Sequence, residues 1–164
     1  MVTSTLQTSE VRFFSRRSQG GFTVVEIAAI ILVISILAGI GYRVYVSVVD
    51  RARVVQATGD IRSMSFTIDD YFEARGTYPE RLSDLNKTFP DDPWGNPYGY
   101  LALAGTNGDG KARKDHNLVP LNTDYDLYSS GPDGKSASPL TAKASRDDIV
   151  RANNGGFVGL AESY

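Results

Sequence analysis

Residues 16–42 read "RRSQGGFTVVEIAAIILVISILAGIGY". Two arginines and two glycines lead into an apolar run from Phe22 to Tyr42, and the only ionisable side chain in it before the tyrosine is Glu26. As a helix rising about 1.5 Å per residue, this run reaches about 31 Å, close to the hydrocarbon thickness of a bilayer. Arg12, Arg16 and Arg17 precede it and are expected to stay cytoplasmic, so that the remainder of the chain crosses to the outer side. A carboxylate just inside such a segment costs about 3 kcal/mol unless it is paired, which makes Glu26 a functional candidate.

An ordinary secretory signal, with "ILAGIG" as its small-residue cleavage region, accounts for the apolarity, and so does a plain signal anchor. Neither accounts for Glu26. An amine at the same depth would. Cleavage after Gly21 creates one, because Phe22 then begins the mature chain and Glu26 is its fifth residue. Residues one and five of a helix lie one turn apart. A neighbouring subunit shifted by about a turn offers its own amine equally well.

The order of basic residues, glycine, aromatic, glutamate and apolar run, written Gly21-Phe22-Thr23-Val24-Val25-Glu26, resembles the type III signal of type IV pilins and type II secretion pseudopilins. The resemblance implies that a membrane aspartyl prepilin peptidase cuts between Gly21 and Phe22 and methylates the new amino group of Phe22. It also implies that Glu26 sets subunit register in a filament. Arg43 departs from the pattern, since the family commonly has proline there.

Beyond the apolar run the helix is expected to continue. Val54, Ala57, Ile61, Met64, Ile68 and Phe72 recur at three- and four-residue intervals, one face of an amphipathic helix whose simplest use is core packing. Gly76 ends the pattern. The expected organisation is therefore a leader over 1–21, a membrane and filament-core helix over 22–43, an amphipathic continuation over 44–75, and a small α+β domain over 76–164. In that domain Pro79, Leu82 and Leu85 suggest a short helix. Pro93, Gly95, Asn96 and Pro97 make turns around Trp94, which is expected to clamp the loop on the core. "YGYLAL" and "TDYDLYSSGPDG" read as strands, and the tail around Phe157–Leu160 as a further short strand or flap. The sum is α+β: a long N-terminal helix, apolar in its first half, packed on a small antiparallel sheet with a C-terminal loop.

Composition bounds the function. The chain has 164 residues, a net charge of −2 and no cysteine. No global basic field favours nucleic acid, and disulfides, thiolate metal sites and cysteine nucleophiles are excluded. His116 is the sole histidine, a poor basis for zinc. Lys111, Arg113 and Lys114 read as a solvated loop face.

Tyr78-Pro79, Asp92-Pro93-Trp94-Gly95 with Pro97-Tyr98, and Leu127-Tyr128-Ser129-Ser130-Gly131-Pro132-Asp133-Gly134 resemble, in that order, the major (G-type) pseudopilins of type II secretion systems. The absence of a two-cysteine C-terminal loop points the same way. The resemblance implies a homo-oligomeric helical filament in the periplasm, made from single-pass inner-membrane subunits. Its partners would be the prepilin peptidase and methyltransferase, minor pseudopilins, an inner-membrane platform protein and a secretion ATPase. It further implies calcium in the C-terminal loop, held by the carboxylates of Asp133, Asp147 and Asp148 and the carbonyls of Leu127 and Ser130. Calcium requires six to eight oxygens, and Arg146 stands where another acid is expected. Without a metal, Asp133 is a turn residue and Asp147 a helix cap. A second loop, with Asn107, Asp109 and Gly110, has EF-hand-like spacing but lacks acids at its ends. Two other functions stay open at this level: a type IV pilin of a surface filament, and a membrane-anchored enzyme, for which no nucleophile, base or cofactor loop is present.

Overall fold

The computed structural model describes residues 21–103 and 110–164. The leader, with Arg12, Arg16 and Arg17, and the loop residues Asn107 and Asp109 lie outside the described residues. The chain forms two compact units, Met1–Tyr42 and Arg43–Tyr164.

In the first unit residues 21–23 are irregular, and helix α1, Val24–Arg75, begins two residues later than the apolar run suggests. Thr23 sets that start. Its Oγ accepts the Glu26 N–H at 3.2 Å, and its carbonyl accepts the same N–H at 3.1 Å. The N-cap bond satisfies a donor that the first turn cannot satisfy itself. Ser35, the hydroxyl inside the apolar run, donates to the Ile31 carbonyl at 2.7 Å, so its polar group stays within the helix. Every described residue of this unit is exposed. The helix is long and apolar enough to cross a membrane.

In the second unit α1 buries Ala57, Ile61, Met64 and Ile68, the expected stripe. Phe72, at the end of that stripe, is only partly covered and stacks on Tyr78, ring centroids 4.3 Å apart. Gly76 stops the helix with φ of +73°, a conformation that costs glycine nothing. The short helix that follows is a single 3₁₀ turn, Leu82–Leu85. Pro79 lies before it, buried, and its carbonyl accepts the Tyr100 hydroxyl at 2.8 Å.

The sheet has four antiparallel strands in sequence order: β1 Gly99–Ala102, β2 Tyr125–Ser129, β3 Ile149–Ala152 and β4 Phe157–Leu160. Register pairs Tyr100 with Leu127, Tyr128 with Val150, and Val150 with Gly159. Strand alternation then sorts the core into two layers. Tyr125, Leu127 and Ile149 join the α1 stripe and Tyr98 on one face, with Trp94 packed against that cluster as the clamp the sequence suggests. Val150 and Ala152 join Leu121, Leu140 and Ala161 on the other. Two tyrosines lock the helix to the sheet: Tyr98 donates to Asp60 at 2.9 Å and Tyr125 to Asp69 at 3.1 Å. Burial, then the Asp60 carboxylate, pushes the Tyr98 hydroxyl well above its ordinary value, so it stays a donor.

Strand β3 is the element that sequence reading passes over. All four of its residues are buried, including Arg151. That guanidinium lies 3.9 Å from the Tyr125 ring centroid and pairs with Asp124 at 2.6 Å. Desolvation alone would lower the Arg151 pKa; the Asp124 hydrogen bond and neighbouring negative charge reverse the shift and raise it.

Candidate functional site

The N-terminal candidates sit together in one exposed segment. Gly21 has open space around it, and Phe22 is 71% exposed. Because α1 starts at Val24, Phe22 lies outside the helix, and the one-turn spacing between Phe22 and Glu26 is not imposed by helical geometry. Glu26 is the acidic residue of the first turn, where the helix dipole favours negative charge. Its side chain is exposed alongside Val24, Val25 and Ile27.

The C-terminal candidates divide into groups. Asp133 lies in the exposed turn after β2, where its Oδ1 accepts the Lys135 N–H at 2.7 Å, an Asx turn. Asp147 meets it there, since its Oδ2 accepts the Asp133 N–H at 3.3 Å. Asp147 caps no helix: the 3₁₀ turn nearby, Lys143–Ser145, precedes it. Leu127 is fully buried in β2 with its side chain in the core, and Ser130 follows the strand, half-buried.

Asp148 faces a different neighbour. It is fully buried, and its Oδ2 accepts Arg113 Nη2 at 2.5 Å and the Ser136 hydroxyl at 2.6 Å. Arg113 is therefore no solvated loop residue; it is 4% exposed. Its Nη1 donates to Ser136 Oγ at 2.5 Å, and its guanidinium covers the Tyr128 ring at 4.1 Å from the centroid. Its backbone N–H donates to Asp126 Oδ2 at 2.6 Å. Burial pushes the Asp148 carboxyl up from its ordinary value, while the Ser136 hydroxyl and the Arg113 charge favour the ionised form. Asp126 is likewise raised by burial, against the Arg113 N–H and the Asn122 amide.

The calcium set that the sequence suggests is divided between two neighbourhoods in this arrangement. Among the described residues no three acidic or histidine side chains converge. Asp147 reaches across from the entrance to β3 to the Asp133 turn, while Asp148 turns its Oδ2 to a guanidinium and leaves Oδ1 without a hydrogen-bond partner among the described residues. A cation at Asp148 Oδ1 would stand beside a fixed positive charge. Lys111 is exposed and Lys114 half-buried, so the basic loop face holds only in part.

A further carboxylate organises the loop before β1. Asp92 is buried, and its Oδ1 accepts the N–H groups of Trp94 at 3.0 Å and Asn96 at 2.8 Å. Its Oδ2 accepts the Ser129 hydroxyl at 2.5 Å. Asn96 then donates to the Gly131 carbonyl at 3.0 Å. The Asp92-Pro93-Trp94-Gly95 loop is thereby fastened to the turn after β2. Asp92→Ala is expected to cost about 2–3 kcal/mol, because it strands three donors. Chemical denaturation followed by Trp94 fluorescence would read this as a lower midpoint with unchanged slope.

An N-terminal helix, apolar first and amphipathic after, with its second half packed on a small antiparallel sheet, defines a pilin-like subunit. Comparison with known proteins specifies which kind. The chain is 33% identical over 141 residues to type II secretion system core protein G of Pseudomonas aeruginosa, covering 73% of this chain and 88% of that protein. It is 28% identical over 138 residues to the core protein G of Escherichia coli K12 (71% and 84%), and 27% over 108 residues to that of Aeromonas hydrophila (53% and 76%). The chain belongs to the type II secretion system core protein G family, the major pseudopilins. No family model and no solved structure matches it.

Proposed function

We propose that the chain is made as a precursor, cut between Gly21 and Phe22 by a prepilin peptidase and N-methylated on Phe22. The mature subunit waits in the bacterial inner membrane with its N-terminus cytoplasmic and residues 44–164 periplasmic. Subunits then polymerise into a helical periplasmic filament that drives protein export. A platform protein and a secretion ATPase lift them, and minor pseudopilins share the filament, as the family implies. The role is mechanical rather than enzymatic; the relatives carry the name of a secretion-system component.

The observation that carries this reading is the exposure of the whole apolar run. Ile31, Leu32, Ile34, Leu37 and Ile40 are each more than half exposed. A surface of that kind needs lipid or other subunits to cover it. Moving it from lipid to a protein core gains little hydrophobic free energy, so packing and the pairing of Glu26 must select the register. Both the cut and the register follow from one N-terminus. Mass spectrometry of protein isolated from its native host is therefore the direct test. A mature chain beginning with N-methylated Phe22 is expected; a chain beginning at Met1, or trimmed beyond Tyr42, contradicts the proposal.

A further inference from the structure

We propose that Arg113 stands in for a metal: a guanidinium carried by the chain supplies the positive charge that fastens the C-terminal loop to the sheet, the task that family resemblance gives to calcium. The inference concerns residues of the second unit alone, so it stands or falls separately from the filament reading.

Four segments meet at this residue. Arg113 itself belongs to the loop before β2, and its carbonyl accepts the Leu121 N–H at 2.8 Å. Asp126 and Tyr128 come from β2, Ser136 from the turn-rich segment after it, and Asp148 from the entrance to β3. Neighbouring backbone bonds hold the same segments in place: Lys114 N–H donates to Ser138 and Leu140 N–H to Lys114, both at 2.9 Å. A metal joins distant loops by collecting their oxygens around one centre. Here the planar fork does so, with one nitrogen on a carboxylate, another on a hydroxyl, and its face on an aromatic ring.

The geometry also opposes a dication in the same place. Asp148, the acid that is fully buried, already has its charge matched at 2.5 Å. A divalent ion at its other oxygen would face the guanidinium, and like charges repel most strongly where water is excluded. Asp133 and Asp147 each accept a backbone N–H, from Lys135 and from Asp133 respectively. The domain should therefore fold without calcium.

Full-length chain in detergent tests this through thermal unfolding, followed by Trp94 fluorescence in chelator and in calcium at about 5 mM, above the range of weak extracellular sites. The midpoint is expected to be the same in both. A rise of several degrees with calcium overturns the proposal. Removing one partner of a buried ion pair is strongly destabilising, so Arg113→Ala should lower the folding equilibrium constant at least about a hundredfold. Full stability of that variant would also overturn it. Should Arg113→Ala not fold, Arg113→Lys, which keeps the charge without the fork, still reports. It is expected to be less stable than the parent and equally indifferent to calcium; a calcium-dependent gain in stability counts against the proposal. The double variant Arg113→Ala/Asp148→Ala closes a cycle. Losses well short of additive are expected for groups that act as a pair, whereas additive losses reject it.

Discussion

Glu26→Ala should leave a chain that enters the membrane normally yet builds no filament, with secretion falling at least tenfold. The two halves of that expectation have different origins. Insertion depends on the apolar run, and alanine removes a carboxylate that costs about 3 kcal/mol in lipid, so insertion is if anything easier. Assembly depends on choosing one register among many for an exposed helix whose surface is nearly all aliphatic. A single polar position in such a surface specifies register at a cost in stability, because every wrong register leaves it unmatched. Membrane fractionation would report the first half, and electron microscopy of sheared filaments with an assay of exported protein the second. Glu26→Asp keeps the charge on a shorter arm and should retain partial assembly. Normal filaments from the alanine variant would remove Glu26 from the mechanism.

Gly131→Ala should damage the folded domain severely, at about 3–5 kcal/mol. Two causes add. The residue has φ of +62°, where a β-carbon costs about 1–2 kcal/mol. That carbon would also lie 2.2 Å from the Asp147 carbonyl oxygen, backbone that cannot swing aside. The turn would have to separate from the entrance to β3, disturbing the Asn96 bond to the Gly131 carbonyl and the Gly131 N–H bond to Ser129. Gly134 provides the control. Its φ is +64°, but a β-carbon there meets the side-chain oxygen of Asn96 at 3.0 Å, a group able to give way. Gly134→Ala should cost only about 1–2 kcal/mol. Equal losses for the two variants, measured by chemical denaturation, would contradict the backbone clash.

What sequence reading recovered was local in origin. The apolar run, the stripe from Val54 to Ile68 and the Gly76 stop each repeat within a few residues, as do the turns flanking β1 and β2. What it missed depends on partners far along the chain. β3 shows no alternation because both of its faces are covered, and Arg151 masks it further, a charge made tolerable by Asp124, 27 residues earlier. Arg113 looked solvated because its loop is polar, while its carboxylate lies 35 residues downstream. The available hint was indirect: the stretch between Asp133 and Asp147 holds no acid at all. The start of α1 slipped by two residues because helical apolarity begins at Phe22 whereas the cap is Thr23.

That cap bears on maturation. Hydrolases take their substrates as open ribbons, since a coiled backbone keeps its amides to itself. By closing the rod at Thr23, the protein leaves the link between residues 21 and 22 uncoiled, so the proposed cut demands no prior melting of the shaft. Under the proposed cut, one threonine hydroxyl closes the permanent rod two residues past the disposable end.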